Sequence, residues 1–95
     1  MLYAANLALD LGRKWEKRDD NAIAQAKSVR ANFRLCSDGA FREDGRSAAG
    51  LAIFAYDGGR RTLLYVAGQP MGILQNSFVS EVLALEHCLR TFRKL

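Results

Sequence analysis

Proline occurs once in the 95 residues, at Pro70, and histidine once, at His87. With eight glycines and no Gly/Ser-rich stretch, the composition excludes collagen-like repeats and a flexible linker between domains. Two cysteines, Cys36 and Cys88, with no CxxC pair and a single histidine leave no ligand set for a structural zinc site. Each cysteine lies among apolar residues, the setting of a buried, reduced thiol. No apolar run approaches the roughly 18 residues of a membrane span. The opening Met1–Leu11 has no basic leader and is followed by Arg13, Lys14, Lys17 and Arg18, a poor match to a secretory signal. An intracellular protein is the default expectation.

What is present suits one small globular domain, or part of one. Apolar residues make up 49%, and the formal charge is +4. That balance suits a polyanion partner without demanding one.

The texture changes near residue 32. Residues 1–31 are rich in helix formers, and Leu7, Leu11 and Trp15 recur at helical spacing. Asp19-Asp20-Asn21 can cap a second helix over 22–31. This segment reads as a helical N-terminal arm. Its Arg13-Lys14 and Lys17-Arg18 pairs are either a nucleic-acid contact or a solvated helix face.

From residue 32 the pattern predicts strands at about 32–38, 49–56 and 60–67, with turns at Asp44-Gly45 and Asp57-Gly58-Gly59. The second run, Gly50 to Tyr56, is apolar on both faces, as in a strand covered on each side. Residues 68–75 read as a loop. An amphipathic helix follows over about 77–94, with Asn76 or Ser77 as N-cap. Phe78, Val82, Leu85, Leu89 and Phe92 form the stripe expected to face the core, widened by Ala84, Cys88 and Leu95. His87 falls opposite that stripe, on the expected surface. The fold class is α+β: a three-stranded antiparallel meander, a closing helix and N-terminal helices.

Two acids stand out. Asp38 follows the apolar run Phe33–Ser37 and precedes Gly39, where a carboxylate can project past a strand end. Glu81 falls on the arc of the apolar stripe, where a carboxylate is uncommon unless it is paired or binds a cation. It is no capping-box partner, because Phe78 holds the position three residues earlier. A first-turn acid favoured by the helix dipole is the competing reading. Brought together, the two carboxylates are hard oxygen ligands of the kind Mg²⁺ takes. Arg42, Arg46 and the Arg60-Arg61 pair fall in turns and can reach phosphates, or serve only as solvated turn residues.

Cys36-Ser37-Asp38-Gly39-Ala40, then Ala49–Phe54, a third strand and Ser80-Glu81-Val82-Leu83-Ala84-Leu85 resemble the N-terminal half of a type 1 ribonuclease H-like domain, in its plant and retroelement forms. The resemblance covers Phe33 to about Phe92. It implies that residues 32–95 are a partial ribonuclease H-like domain in which Asp38 and Glu81 are catalytic metal ligands. It further implies Mg²⁺ or Mn²⁺ as cofactor and cleavage of the RNA strand of RNA–DNA hybrids. In that family a third acid ends a fourth strand that follows the first helix, and a further acid lies later; this chain stops before both. Asp44, Asp57 and Glu86 do not match their places. A weak or inactive nuclease, with an exposed sheet edge open to self-association, is therefore expected of this chain. A non-catalytic nucleic-acid or protein-interaction module on the same scaffold is the alternative. A partner-binding scaffold with no nucleic-acid role is the third reading.

Overall fold

The computed structural model describes residues 2–95. Helix α1 spans Leu2–Leu11, strand β1 Trp15–Arg18, helix α2 Asp20–Ser28, and strands β2, β3 and β4 span Asn32–Phe41, Arg46–Asp57 and Arg60–Ile73. Helix α3 spans Ser77–Lys94. The strands form one antiparallel sheet in the order β1-β4-β3-β2. The class is α+β as expected, with four strands rather than three.

The extra strand corrects the reading of residues 1–31 as purely helical. Gly12 stops α1: at φ +68° it occupies the left-handed region, and its N–H bonds back to the carbonyls of Ala8 and Leu9. The chain then reverses. Trp15 donates its indole N–H to the Ala4 carbonyl at 3.1 Å. Residues Trp15 to Arg18 pair with Gly68 to Tyr65. Glu-Lys-Arg carries no strand pattern of its own, so tertiary pairing decides the conformation of this segment. Helix α2 begins two residues earlier than expected, because Asp19 is the N-cap and accepts the Ala22 N–H at 3.0 Å.

The hairpins are longer than expected. The β2–β3 turn shrinks to residues 42–45, where Asp44 accepts the Arg46 N–H at 3.0 Å. Strand β4 runs through the expected 68–75 loop and past Pro70. A proline is tolerated there because β1 covers β4 only from Tyr65 to Gly68, so Pro70 lies on an edge. Opposite it, the β3–β4 register slips between Ser47 and Ala48.

Strand β3 is buried along most of its length, as its two-sided apolar pattern predicts. On one face Leu51, Ile53 and Ala55 join Ile23 and Ala26 of α2 and Cys88 of α3. On the other, Ala48 and Ala40 pack with Ala5, Ala8 and Leu9 of α1. Among the described residues no helix is long and apolar enough to cross a membrane.

Helix α3 has the expected bounds, and its N-cap Asn76 accepts the Val79 N–H at 3.0 Å. Its orientation corrects the expected stripe. The residues turned to the sheet are Ser80, Ala84 and Cys88, all buried. Phe78, Val82, Leu85 and Leu89 are 72%, 49%, 52% and 44% exposed. The small residues allow the helix backbone to lie directly on the strands, and close packing sets the helix's rotation in place of the larger apolar side chains. Phe92 remains partly buried, edge-on to Phe33 of β2 with ring centroids 5.4 Å apart.

Candidate functional site at the open edge of strand β2

Asp38 and Glu81 belong to elements that touch. The junction is Gly39, which lies directly beneath the first turns of α3. A Cβ added at Gly39 would meet the Ser80 hydroxyl at 2.5 Å and the Glu81 backbone nitrogen at 2.9 Å. Only glycine permits that approach. The strand acid is thus one residue from a point of backbone contact with the helix acid.

Their side chains leave this junction on different paths. Leu35 and Gly39 face α3, whereas Ala40 faces α1. Asp38 shares the parity of Ala40 and so leaves β2 on the α1 side. Glu81 precedes Phe92 by about three helical turns and lies on the same flank of α3. Phe92 meets Phe33 of β2, so that flank lies along the β2 strand. Strand β2 ends the sheet and no strand covers its outer side. Asp38 therefore leaves the sheet on the face opposite α3, and Glu81 lies on α3 itself, both beside the open edge.

Glu81 is solvent-exposed, which corrects its expected place on a core-facing arc; the stripe it belongs to is itself outside. Asp38 is half-buried and lies within β2, three residues before its end at Phe41, which corrects its expected place at a strand end; the ladder continues because Gly39 to Phe41 still pair with β3. Among the described residues, no group of three or more His, Cys, Asp or Glu side chains is gathered to hold a metal.

Arg42 and Arg46 lie at the β2–β3 turn, Arg42 about 13 Å along the strand from Asp38. Each is engaged within the chain. Arg42 Nη2 pairs with Asp10 at 2.6 Å, and Arg46 Nε pairs with Asp44 at 2.7 Å. The Arg46 backbone N–H and guanidinium hold the Asp44 carboxyl below the usual carboxylate range. Both pairs are solvent-facing and weak enough for a phosphate to compete.

A second polar feature lies at the far edge of the sheet. A cleft of about 230 Å³ opens between β1, β4 and the last turns of α3. Lys14, Arg18, His87, Thr91 and Lys94 line it, together with Gln69. Tyr65 lines it too; its hydroxyl donates to Glu16, and burial first, then that bond, push the phenol's pKa up. His87 is half-buried here, not on the open surface as expected, because the rotation of α3 turns it inward. Burial, then Arg90, Lys14 and Lys94, lower its pKa. Lys14 and Arg18 belong to the basic pairs Arg13-Lys14 and Lys17-Arg18 that are visible in the sequence. Lys94 and His87 are not visible there as part of the cleft, because their meeting with β1 depends on a strand that carries no strand pattern.

No protein-family model, curated protein or solved structure matches this chain.

Proposed function

We propose that this chain is a ribonuclease H-type nucleic-acid module, in which Asp38 and Glu81 hold a single Mg²⁺ or Mn²⁺ at the open edge of β2. The observation that supports this reading is the seating of Gly39 on Ser80 and Glu81, which leaves the backbone of the strand Asp one residue from a contact with the backbone of the helix Glu. The order of elements agrees with it: three consecutive antiparallel strands, β2 to β4, and then the helix that bears the Glu. A bound divalent ion of this kind polarises a phosphodiester and lowers the pKa of a coordinated water. Asp38 and Glu81 bind it, and Arg42 and Arg46 contact phosphates of the substrate strand. In the complete parent domain the reaction is hydrolysis of the RNA strand of an RNA–DNA hybrid. Two carboxylates offset the charge of one ion and not of two, so this chain by itself is weak or inactive.

The test pairs Mn²⁺ titration with a hybrid-cleavage assay. Mn²⁺ binding is expected to weaken in both Asp38→Asn and Glu81→Gln, with little or no cleavage by the wild-type chain. Binding unchanged in both variants would remove the metal site. Robust cleavage lost in Asp38→Asn would overturn the claim of inactivity.

A second reading, a non-catalytic nucleic-acid-binding module, is favoured by the basic cleft of Lys14, Arg18 and Lys94. It expects hybrid binding that falls with salt and does not depend on the divalent ion.

A further inference from the structure

The open edge of β2 and the exposed stripe of α3 lie side by side, and one operation satisfies both. We infer that two copies of this chain pair through β2 and α3 about a two-fold axis centred on Cys36.

The register follows from the backbone. Arg42 N–H bonds the Arg46 carbonyl at 2.9 Å, and Arg42 extends the parity of Asn32, Arg34, Cys36, Asp38 and Ala40. In an antiparallel ladder these even positions turn their N–H and C=O toward β3. The odd positions, Phe33, Leu35, Ser37 and Gly39, turn theirs outward. A second β2 must meet odd positions with odd positions. With the axis at Cys36, Leu35 pairs with Ser37 of the second copy, and Arg34 stands opposite its Asp38. Arg34 and Asp38 occupy non-hydrogen-bonded positions, where facing side chains come closest. Among the described residues neither has an ion-pair partner within its own chain. Axes at Leu35 or Ser37 leave these charges opposite neutral residues. Axes at Arg34 or Asp38 put like charges together.

The same axis serves α3. The helix runs antiparallel to β2, with Ser80 over Gly39, the Cys88 thiol on the Cys36 carbonyl and Phe92 against Phe33. The level of Cys36 therefore falls between Leu85 and Leu89. Strands lie about 4.8 Å apart and α3 lies over β2 and β3, so the two copies of α3 come to about 10 Å, a normal helix-packing distance. Leu85 then meets Leu89 of the other copy, and Val82 meets its Phe92. Glu81 and Glu86 occupy the first half of the helix, and Arg90, Arg93 and Lys94 the second. Antiparallel helices set these opposite charges against each other. Helix α1 lies mainly over β3 and β4 on the other face and does not obstruct the edge. Pairing buries the apolar stripe and removes an unpaired strand edge in one step. It also takes Asp38 and Glu81 into ion pairs and covers the edge assigned above to the metal, so the dimer and the metal-bound chain are alternative states.

The experiment is sedimentation equilibrium of the full chain with EDTA present, so the result does not depend on the metal reading. At tens of micromolar the expected mass is twice 10.6 kDa. Leu85→Glu and Arg34→Asp are each expected to weaken association about tenfold or more, the second because two symmetry-related pairs are lost together. The double variant Arg34→Asp with Asp38→Arg restores it, which a general loss of folding does not. Diamide oxidation should join the two Cys36 thiols as a disulfide, with diamide reduced to its hydrazine. That covalent dimer should vanish in Cys36→Ser. A wild-type chain that stays at 10.6 kDa, or a dimer indifferent to both single substitutions, would overturn the inference.

Discussion

Gly39 and Ser80 share the tightest strand–helix approach at the candidate site: a methyl group on Gly39 would reach 2.5 Å from the Ser80 hydroxyl and 2.8 Å from its carbonyl carbon. Two of the three nearest atoms are helix backbone, which cannot swing aside. Gly39→Ala must therefore lift the start of α3 off β2. The expected loss is about 1–3 kcal/mol of unfolding free energy, measured by urea denaturation. The same substitution should weaken Mn²⁺ binding without touching either carboxylate. A variant as stable as wild type would show that α3 does not lie this close.

The opposite edge has an equivalent junction. A Cβ on Gly68 would run into the Ala4 carbonyl, the group that Trp15 Nε1–H bonds. Trp15→Phe keeps most of the ring and removes that hydrogen bond. It should cost on the order of 1 kcal/mol and loosen β1, read as faster amide exchange at Trp15 to Arg18. Unchanged exchange there would mean that β1 is held by its pairing with β4 alone.

The two thiols should differ in reactivity. Cys88 is buried, and burial, then Cys36, raises its pKa, so it stays protonated and shielded beneath α3. Cys36 lies half-buried on the open strand. An alkylating reagent should modify Cys36 first and reach Cys88 only at the rate of unfolding. Mass spectrometry over time, comparing native and urea-treated protein, checks the order. Equal native rates would contradict the packing of α3 on β2.

What the sequence revealed, and what it hid, follows from which forces are local. Asn76, the Asp57-Gly58-Gly59 turn and the two-sided apolar run of β3 act on their own neighbourhood, and the helix, turn and central strand appear where they predict. The rotation of α3 is not local. Periodicity shows that an apolar stripe exists, but only the sheet shows that Ser80, Ala84 and Cys88 fit beneath the helix while Leu85 does not. Strand β1 is hidden for the same reason. Glu16, Lys17 and Arg18 become a strand because β4 offers them an edge. At the candidate site, Asp38 and Glu81 are legible as residues. The contact between the elements that carry them rests on Gly39, whose importance emerges only once α3 lies on it.

His87 provides a pH signature for the cleft. Its pKa is lowered in the folded chain, by burial first and then by Arg90, Lys14 and Lys94. An unfolded histidine titrates near ~6.5. Between that value and the lower folded one, the unfolded state binds the extra proton. Stability is thus full above about pH 6.5 and falls as the pH drops through the window. Denaturation of wild type and His87→Gln on either side of ~6.5 isolates this part, because carboxylate contributions are common to both. The wild-type chain should lose more stability on acidification than the variant. Parallel pH profiles would place His87 in open solvent.

The same cleft makes a claim about polyanions. Lys14 and Lys94 line it and take part in no ion pair among the described residues. If phosphates bind there, each lysine that contacts one releases about one counterion from the nucleic acid. Lys14→Gln and Lys94→Gln should then each reduce the slope of log affinity against log salt by about 1 for duplexes, and the double variant by about 2. The loss should be uniform across sequences, since phosphate contacts do not read bases. Arg61 is a suitable control: it is exposed, sits over the Phe54 ring and lies outside the cleft. Arg61→Gln should leave the slope nearly unchanged. Slopes that fall equally in all three variants would mean that binding follows net charge, with no role for the cleft.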